Sequence, residues 1–244
     1  MNWDFFAPRR KDGEHLSHYR KGQLRERRNY RKGKLDGVYE SYYENGQLLV
    51  RMSFKGGQRH GDAASYYRDG TLREKCTFEK DKLVGEYTSY YETGQLREKE
   101  FYNPGGRLEG EYLLYYRNGQ LKEKETFVDG KFEGEYVSYY KNGQIREKGT
   151  FRGEKREGPY VAYDRDGRLL EQAVFKAGKP VGAHTLLAAG SAAAVTIGQG
   201  DEDLDEHEFD RMLRKMGDFE KKAADGTAPA AVPAGEDEDE EGDD

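Results

Sequence analysis

The residues that could do chemistry in this 244-residue chain are few, and their spacing works against most reactions. Five histidines, His15, His18, His60, His184 and His207, show no metal-ligand spacing. Asp201, Asp203 and Asp205 open like a calcium loop, but Glu206 stands where the turn glycine belongs and Met212 where the closing glutamate belongs. His207-Glu208-Phe209-Asp210-Arg211 starts like a zinc-protease helix and has arginine in place of the second histidine. Cys76 is the single cysteine, so it makes neither an internal disulfide nor a cysteine metal site, and it reads as a small strand residue. No nucleophile stands beside a base, and the glycines fall at turn spacing rather than in a phosphate-cradling cluster. We expect no enzyme, no cofactor, no metal and no small-molecule substrate.

Binding chemistry is better represented. Residues 1–34 hold 11 Lys/Arg against 4 Asp/Glu, residues 35–187 are balanced at 25 each, and residues 188–244 hold 5 against 18. The formal net charge of -6 therefore describes no region of the molecule. In the first region Arg25, Arg27, Arg28, Arg31 and Lys32, with Arg9-Arg10-Lys11 before them, are interleaved with Tyr19 and Tyr30. Such a basic, aromatic stretch suits nucleic acid or, together with Trp3, Phe5 and Phe6, an anionic membrane surface. It also suits an acidic protein, or the plain exposed side of a first hairpin.

Mean hydropathy is -1.10, which leaves little aliphatic material for a conventional core, while 13% of the residues are aromatic, which disordered chains avoid. No run approaches the roughly 20 apolar residues of a spanning helix. The start, Met1-Asn2-Trp3-Asp4-Phe5-Phe6, lacks a signal-peptide layout, and a cytoplasmic address is expected.

Order resolves the paradox of a polar, aromatic chain. The second tyrosine of a pair falls at Tyr19, Tyr43, Tyr67, Tyr91, Tyr116 and Tyr140, at spacings of 24, 24, 24, 25 and 24. A glycine follows three residues later in each case, from Gly22 to Gly143, and an aromatic keeps step from Tyr30 to Phe175. A second glycine series runs Gly13, Gly37, Gly61, Gly85, Gly110, Gly134, Gly158 and Gly182. The one extra residue lies in Asn103-Pro104-Gly105-Gly106, a turn able to absorb it. Seven units fit between Gly13 and Phe175, with half-units at both ends.

Each unit reads as a β-hairpin. Asn45-Gly46, Asp69-Gly70, Asn118-Gly119, Asn142-Gly143 and Asp166-Gly167 suit two-residue turns, and Tyr, Phe, Thr and Val dominate their flanks. A two-residue turn at Asn142-Gly143 predicts that Tyr140 faces Ile145 and Tyr139 faces Arg146. Tyr136, Tyr140, Ile145 and Phe151 then share one sheet face, and Tyr139, Arg146 and Lys148 the other. The fold expected is mainly β, an elongated antiparallel meander of about 15 short strands with a thin core shared between neighbouring hairpins.

The Tyr-Tyr-x-x-Gly-Gln-Leu blocks at Tyr42–Leu48, Tyr90–Leu96 and Tyr115–Leu121, with Tyr139–Ile145 close behind, resemble the variant MORN repeat (membrane occupation and recognition nexus). Gly85–Tyr87, Gly110–Tyr112 and Gly134–Tyr136 strengthen the likeness, which covers residues 13–187. The repeat is found in bacterial proteins often labelled YwqK-type antitoxin components. The resemblance implies hairpin repeats that form a binding or scaffolding surface, and some members that neutralise a partner protein. Asp62-Ala63-Ala64 and Asp164 depart from the pattern, so their units should be looser or present a different contact.

Outside the repeats, residues 1–12 read as a basic, aromatic cap, 188–200 as a linker or capping strand, 201–224 as an amphipathic helix and 225–244 as a disordered acidic tail. Phe209, Met212, Leu213, Met216 and Phe219 form one apolar stripe at helical spacing, fit to fold back on the sheet or to dock in a partner's groove. Taken together, the sequence points to a non-catalytic module that holds a cognate protein, in the manner of an antitoxin-like inhibitor or stabiliser. Candidate contact residues are Tyr42, Tyr66, Tyr90, Tyr115 and Tyr139, Arg97 and Arg146, and the C-terminal stripe. Membrane or nucleic-acid association through the basic region and a self-assembling scaffold are the other readings, and the oligomeric state stays open.

Overall fold

A computed structural model describes residues 11–187 and 194–196. Over that span the chain forms a single 19-stranded sheet in which every pairing is antiparallel and each hairpin lies beside the one that precedes it. The meander is the expected one, with more strands than the expected 15. Three of them, β3 (Lys34–Leu35), β12 (Lys131–Phe132) and β15 (Lys155–Arg156), are two residues long. Each continues after one residue into β4 (Gly37–Tyr42), β13 (Gly134–Tyr139) or β16 (Gly158–Tyr163). The cap at 1–12 is described only at Lys11 and Asp12. The helix at 201–224 and the tail at 225–244 lie outside the described residues. Within 188–200, Ala194–Thr196 forms β19 against β18 (Lys179–Leu187), so that stretch is a capping strand in part and not only a linker.

The turns overturn the expected register. In the hairpin of β13 and β14 (Ile145–Arg152), the Tyr140 N–H donates to the Gln144 carbonyl at 2.8 Å, and the Gly143 N–H donates to the Tyr140 carbonyl at 2.9 Å. Those two bonds enclose a three-residue loop, Lys141-Asn142-Gly143, with Gly143 in the left-handed region at φ 84°. Tyr139 therefore faces Ile145, Ser138 faces Glu147, and Arg146 is left over as a bulge residue. The same jump recurs in all seven units, leaving Arg25, Leu49, Arg73, Arg97, Lys122, Arg146 and Leu170 unpaired. Two-residue turns do occur, at the opposite end of the hairpins. Lys32-Gly33, Gly56-Gly57, Lys80-Asp81, Asp129-Gly130, Gly153-Glu154 and Ala177-Gly178 all hold both residues at positive φ. At the insertion, Asn103 and Arg107 close a three-residue loop instead, which takes up the extra residue.

Units are tied to their neighbours by side chains as well as by the ladder. The second tyrosine of each pair, from Tyr19 to Tyr140, reaches across and donates its hydroxyl to the carbonyl of the first tyrosine of the next unit, at 2.7–2.9 Å. Carboxylates before the second glycine series accept from the next two-residue turn: Asp36 from the Gly56 N–H, Glu133 from Gly153 and Glu157 from Ala177. The departing unit at Asp164 keeps its turn, because that carboxylate accepts from the Asp166 and Arg168 N–H groups. It loses only the tyrosine tie.

The core is as thin as the composition demands. No side chain is fully enclosed among the described residues. The best-buried cluster, Tyr160, Ala173 and Phe175, sits at the C-terminal end of the array. Elsewhere aromatic rings are half-buried on a single layer, a position that suits tyrosine because its hydroxyl stays near water.

Candidate partner-binding faces

Alternation along each strand sorts the side chains onto two faces of different chemistry. On one, Arg27, Arg51, Lys75, Lys99, Lys124 and Lys148 recur at the repeat period and occupy a single row across the sheet. Their cross-strand partners are Glu40, Ala64, Thr88, Leu113, Val137 and Val161, so consecutive cations stand two strands, about 9.6 Å, apart. Carboxylates stand beside the row: Glu86 is 2.8 Å from Lys99, Glu14 3.4 Å from Arg27, and Glu40 3.6 and 3.8 Å from Arg27 and Arg51. We call this the lysine face.

Tyr42, Tyr66, Tyr90, Tyr115 and Tyr139 belong to this face, each opposite a leucine or isoleucine across the ladder. The Tyr42 hydroxyl donates to Glu40 at 2.7 Å, and burial followed by that carboxylate pushes its ionisation up. Burial likewise raises Tyr139, against the pull of Lys124 beside it. Lys99 lies near Tyr90 and Tyr115 and is held protonated by Glu86. A tyrosine-and-cation surface therefore exists, with Lys148 on it as expected and with the rest of the lysine row in place of Arg97 and Arg146. Those two arginines sit at the bulge and lean the other way, Arg97 toward Glu98 at 3.9 Å and Arg146 toward Glu147 at 3.7 Å. The lysine row keeps the same 24-residue step, which is the signal that could have found it. Stacked cations are found instead on the second tyrosines, with Arg25 over Tyr19, Arg117 over Tyr91, Lys122 over Tyr116 and Arg165 over Tyr140.

The opposite, aromatic face carries three rows. The first pairs an aromatic from Tyr30 to Phe175 with Leu35, Arg59, Leu83, Leu108, Phe132, Arg156 or Pro180. The second holds Tyr39, Tyr87, Tyr112, Tyr136 and Tyr160, with Ala63 filling the place of a tyrosine. The third is a row of glutamates that accept from the tyrosines of the next unit: Glu26 from Tyr39, Glu98 from Tyr112, Glu123 from Tyr136 and Glu147 from Tyr160. Burial, with these carboxylates adding to it, lifts Tyr87 to about 12 and raises Tyr112 and Tyr160 further, so the phenols stay neutral donors. Cys76 faces the same side, and burial pushes its thiol up to about 11, away from reactivity.

The basic cluster does not form a patch. Arg27 lies on the lysine face, while Arg28 lies on the aromatic face, where it pairs with Glu26 and rests over Tyr39 at 6.0 Å. Arg25 is the bulge residue over Tyr19, and Arg31 and Lys32 stand at a turn. Alternation splits what linear proximity had gathered. Phe209, Met212, Leu213, Met216 and Phe219 lie outside the described residues. Among the described residues no group of three or more His, Cys, Asp or Glu could hold a metal ion, and no helix is long and apolar enough to cross a membrane.

The family model described as MORN repeat variant matches residues 35–55, 59–80, 83–103, 108–129 and 132–152. The same hairpin geometry continues beyond those five matches, in β1 (Gly13–His18) with β2 (Leu24–Arg31) and in β16 with β17 (Leu169–Lys176). No curated protein matches the chain.

Proposed function

We propose, from the five tandem MORN-variant repeats matched between residues 35 and 152, that the chain is a non-catalytic module that holds one cognate protein against its lysine face. Antitoxin-like inhibition or stabilisation of a toxin, protease or other enzyme is the role we assign to that grip. The observation that carries this reading is the register-locked row of half-buried first tyrosines beside Arg27, Arg51, Lys75, Lys99, Lys124 and Lys148. Tyrosine supplies rigid, amphipathic contact area at little entropic cost, and the charges beside it supply register and partner choice. Leu16 and Phe101, 50% and 49% exposed on the same face, add apolar contact that a polar sheet gains nothing by presenting to water.

Affinity isolation of the full chain from its native source tests the proposal. A partner should be recovered in fixed stoichiometry and be lost from the Lys75→Glu/Lys99→Glu variant. A partner that stays bound to that variant would move the site off the lysine face. Recovery of no stoichiometric partner would end the binding-module reading.

A further inference from the structure

Among the described residues the chain's own cations stack on rings of the aromatic face at both ends and on none in its middle, where Arg97 and Arg146 reach only the glutamate row at its margin. Arg59 stacks over Phe78 at 4.2 Å, and Arg156 over Tyr160 at 4.1 Å and Phe175 at 5.3 Å. At the same repeat position between them stand Leu83, Leu108 and Phe132. Among the described residues no cation lies over Tyr87, Tyr112, Phe127 or Tyr136. The middle instead gains two carboxylates that no other unit has. Glu100 and Glu125 hold the position filled elsewhere by Arg28, Met52, Cys76, Gly149 and Ala173.

These two carboxylates are poorly served by the sheet. Burial, and the neighbouring Glu98 or Glu123, hold both above the usual carboxylate range. Among the described residues Glu100 accepts the Tyr102 hydroxyl and otherwise faces the carboxyl group of Glu98, and Glu125 has no hydrogen-bond or ion-pair partner. At the N-terminal margin Ser65, opposite Glu74 and 7% exposed, has a hydroxyl without a partner among the described residues. An acidic, aromatic sheet face with its own arginines placed at either end fits one kind of occupant, an amphipathic segment that brings both apolar side chains and cations.

We propose that this occupant is the chain's own residues 209–222, packed intramolecularly across the aromatic face over Glu100 and Glu125. All five Lys/Arg of residues 188–244 fall inside that segment, at Arg211, Arg214, Lys215, Lys221 and Lys222. They accompany the stripe of Phe209, Met212, Leu213, Met216 and Phe219, and at helical spacing Lys215 and Lys222 border it. The reach is sufficient. From β19 to β11 (Leu121–Val128) is six strand steps, about 29 Å. The connecting residues 197–208 span up to about 40 Å when extended. The seat leaves the lysine face free, so the tail and the cognate protein use opposite sides of one sheet.

Zero-length carbodiimide coupling tests the seat, applied to the full chain at low concentration in an equal mixture of 15N-labelled and unlabelled protein. Lys99 and Glu86, 2.8 Å apart on the lysine face, report that coupling has worked. The expected result is linkage of Lys215, Lys221 or Lys222 to Glu98, Glu100, Glu123 or Glu125 within one isotopic species. A Met212→Asp/Met216→Asp variant should lose those links at least fivefold while the Lys99–Glu86 link is unchanged. Tail links found only to Glu86, Glu111 or Glu135, links only between isotopes (a second copy as donor), or no tail link at all would each overturn the proposal. No partner is needed for this readout, so its failure is distinct from a failure of the binding-module reading.

Discussion

The middle of the array and its C-terminal end are built from the same hairpin and differ in what lies between the rings. Around Tyr112 and Phe127 the intervening position is Glu125, half-buried and without a partner among the described residues; around Tyr160 and Phe175 it is Ala173, 2% exposed, with Arg156 laid over both rings. One small residue and one guanidinium close the C-terminal unit into the best-packed part of the described residues, whereas one carboxylate stands between the rings of the middle. The backbone ties are common to both. In a repeat of this kind geometry comes from turn glycines and tyrosine ties, and local function from a single variable row.

Truncating the matched phenylalanines tests that contrast hardest. Phe175→Ala removes a ring that is 7% exposed, which should cost about 3–4 kcal/mol, while Phe127→Ala, at the same position in the half-buried middle, should cost about 2 kcal/mol. Urea unfolding at a common slope measures both, and equal losses would erase the distinction between the regions. A smaller separation is expected between glycines. Gly134 and Gly110 both sit at positive φ, 102° and 80°, but an added Cβ at Gly134 would lie 3.2 Å from the Thr126 Cβ, and at Gly110 would meet nothing within 4 Å. Gly134→Ala should therefore cost about 2 kcal/mol and Gly110→Ala about 1 kcal/mol.

The tyrosine ties should show no regional difference. Tyr91→Phe in the middle removes a hydroxyl bond of 2.7 Å, and Tyr140→Phe nearer the end removes one of 2.8 Å. Each loss should be about 1 kcal/mol by the same unfolding measurement. A large excess at either site would mean that the variable row also decides the strength of the tie.

Repeat, meander and thin core were legible because tyrosine and glycine recur with one period and the hairpin is local. Register was not. Asn142-Gly143 suits a two-residue turn and equally the last two places of a three-residue loop, and the choice rests on the Tyr140 N–H reaching the Gln144 carbonyl, which no residue type announces. That single residue moved Arg97 and Arg146 off the face of the first tyrosines. The two-residue turns escaped notice because their dipeptides share no pattern, from Gly56-Gly57 to Lys80-Asp81 to Ala177-Gly178. The lysine row was hidden by arginines one or two residues away in the chain, and the basic cluster looked continuous for the same reason: a strand separates neighbours in sequence onto opposite faces.

The smallest expected effect concerns the sign of a charge. Glu125 is raised in the folded protein by burial and by Glu123, so it binds its proton more tightly folded than unfolded. Its contribution to stability is then fully present below the ordinary glutamate value and is lost as pH rises through the raised folded value. Glu125→Gln should flatten that part of the profile and leave the protein slightly more stable than wild type at pH 7. Glu147→Gln should instead lower stability at pH 7, because the Glu147 carboxylate accepts from Tyr160 at 2.9 Å and lies 3.9 Å from Arg156. Thermal unfolding between about pH 4 and 7 in about 0.5 M salt, which screens the ionic contacts proposed for residues 209–222, reads the difference. A wild-type profile that is flat at low salt and acquires this slope only at high salt would mean that cations of the chain are already neutralising Glu125.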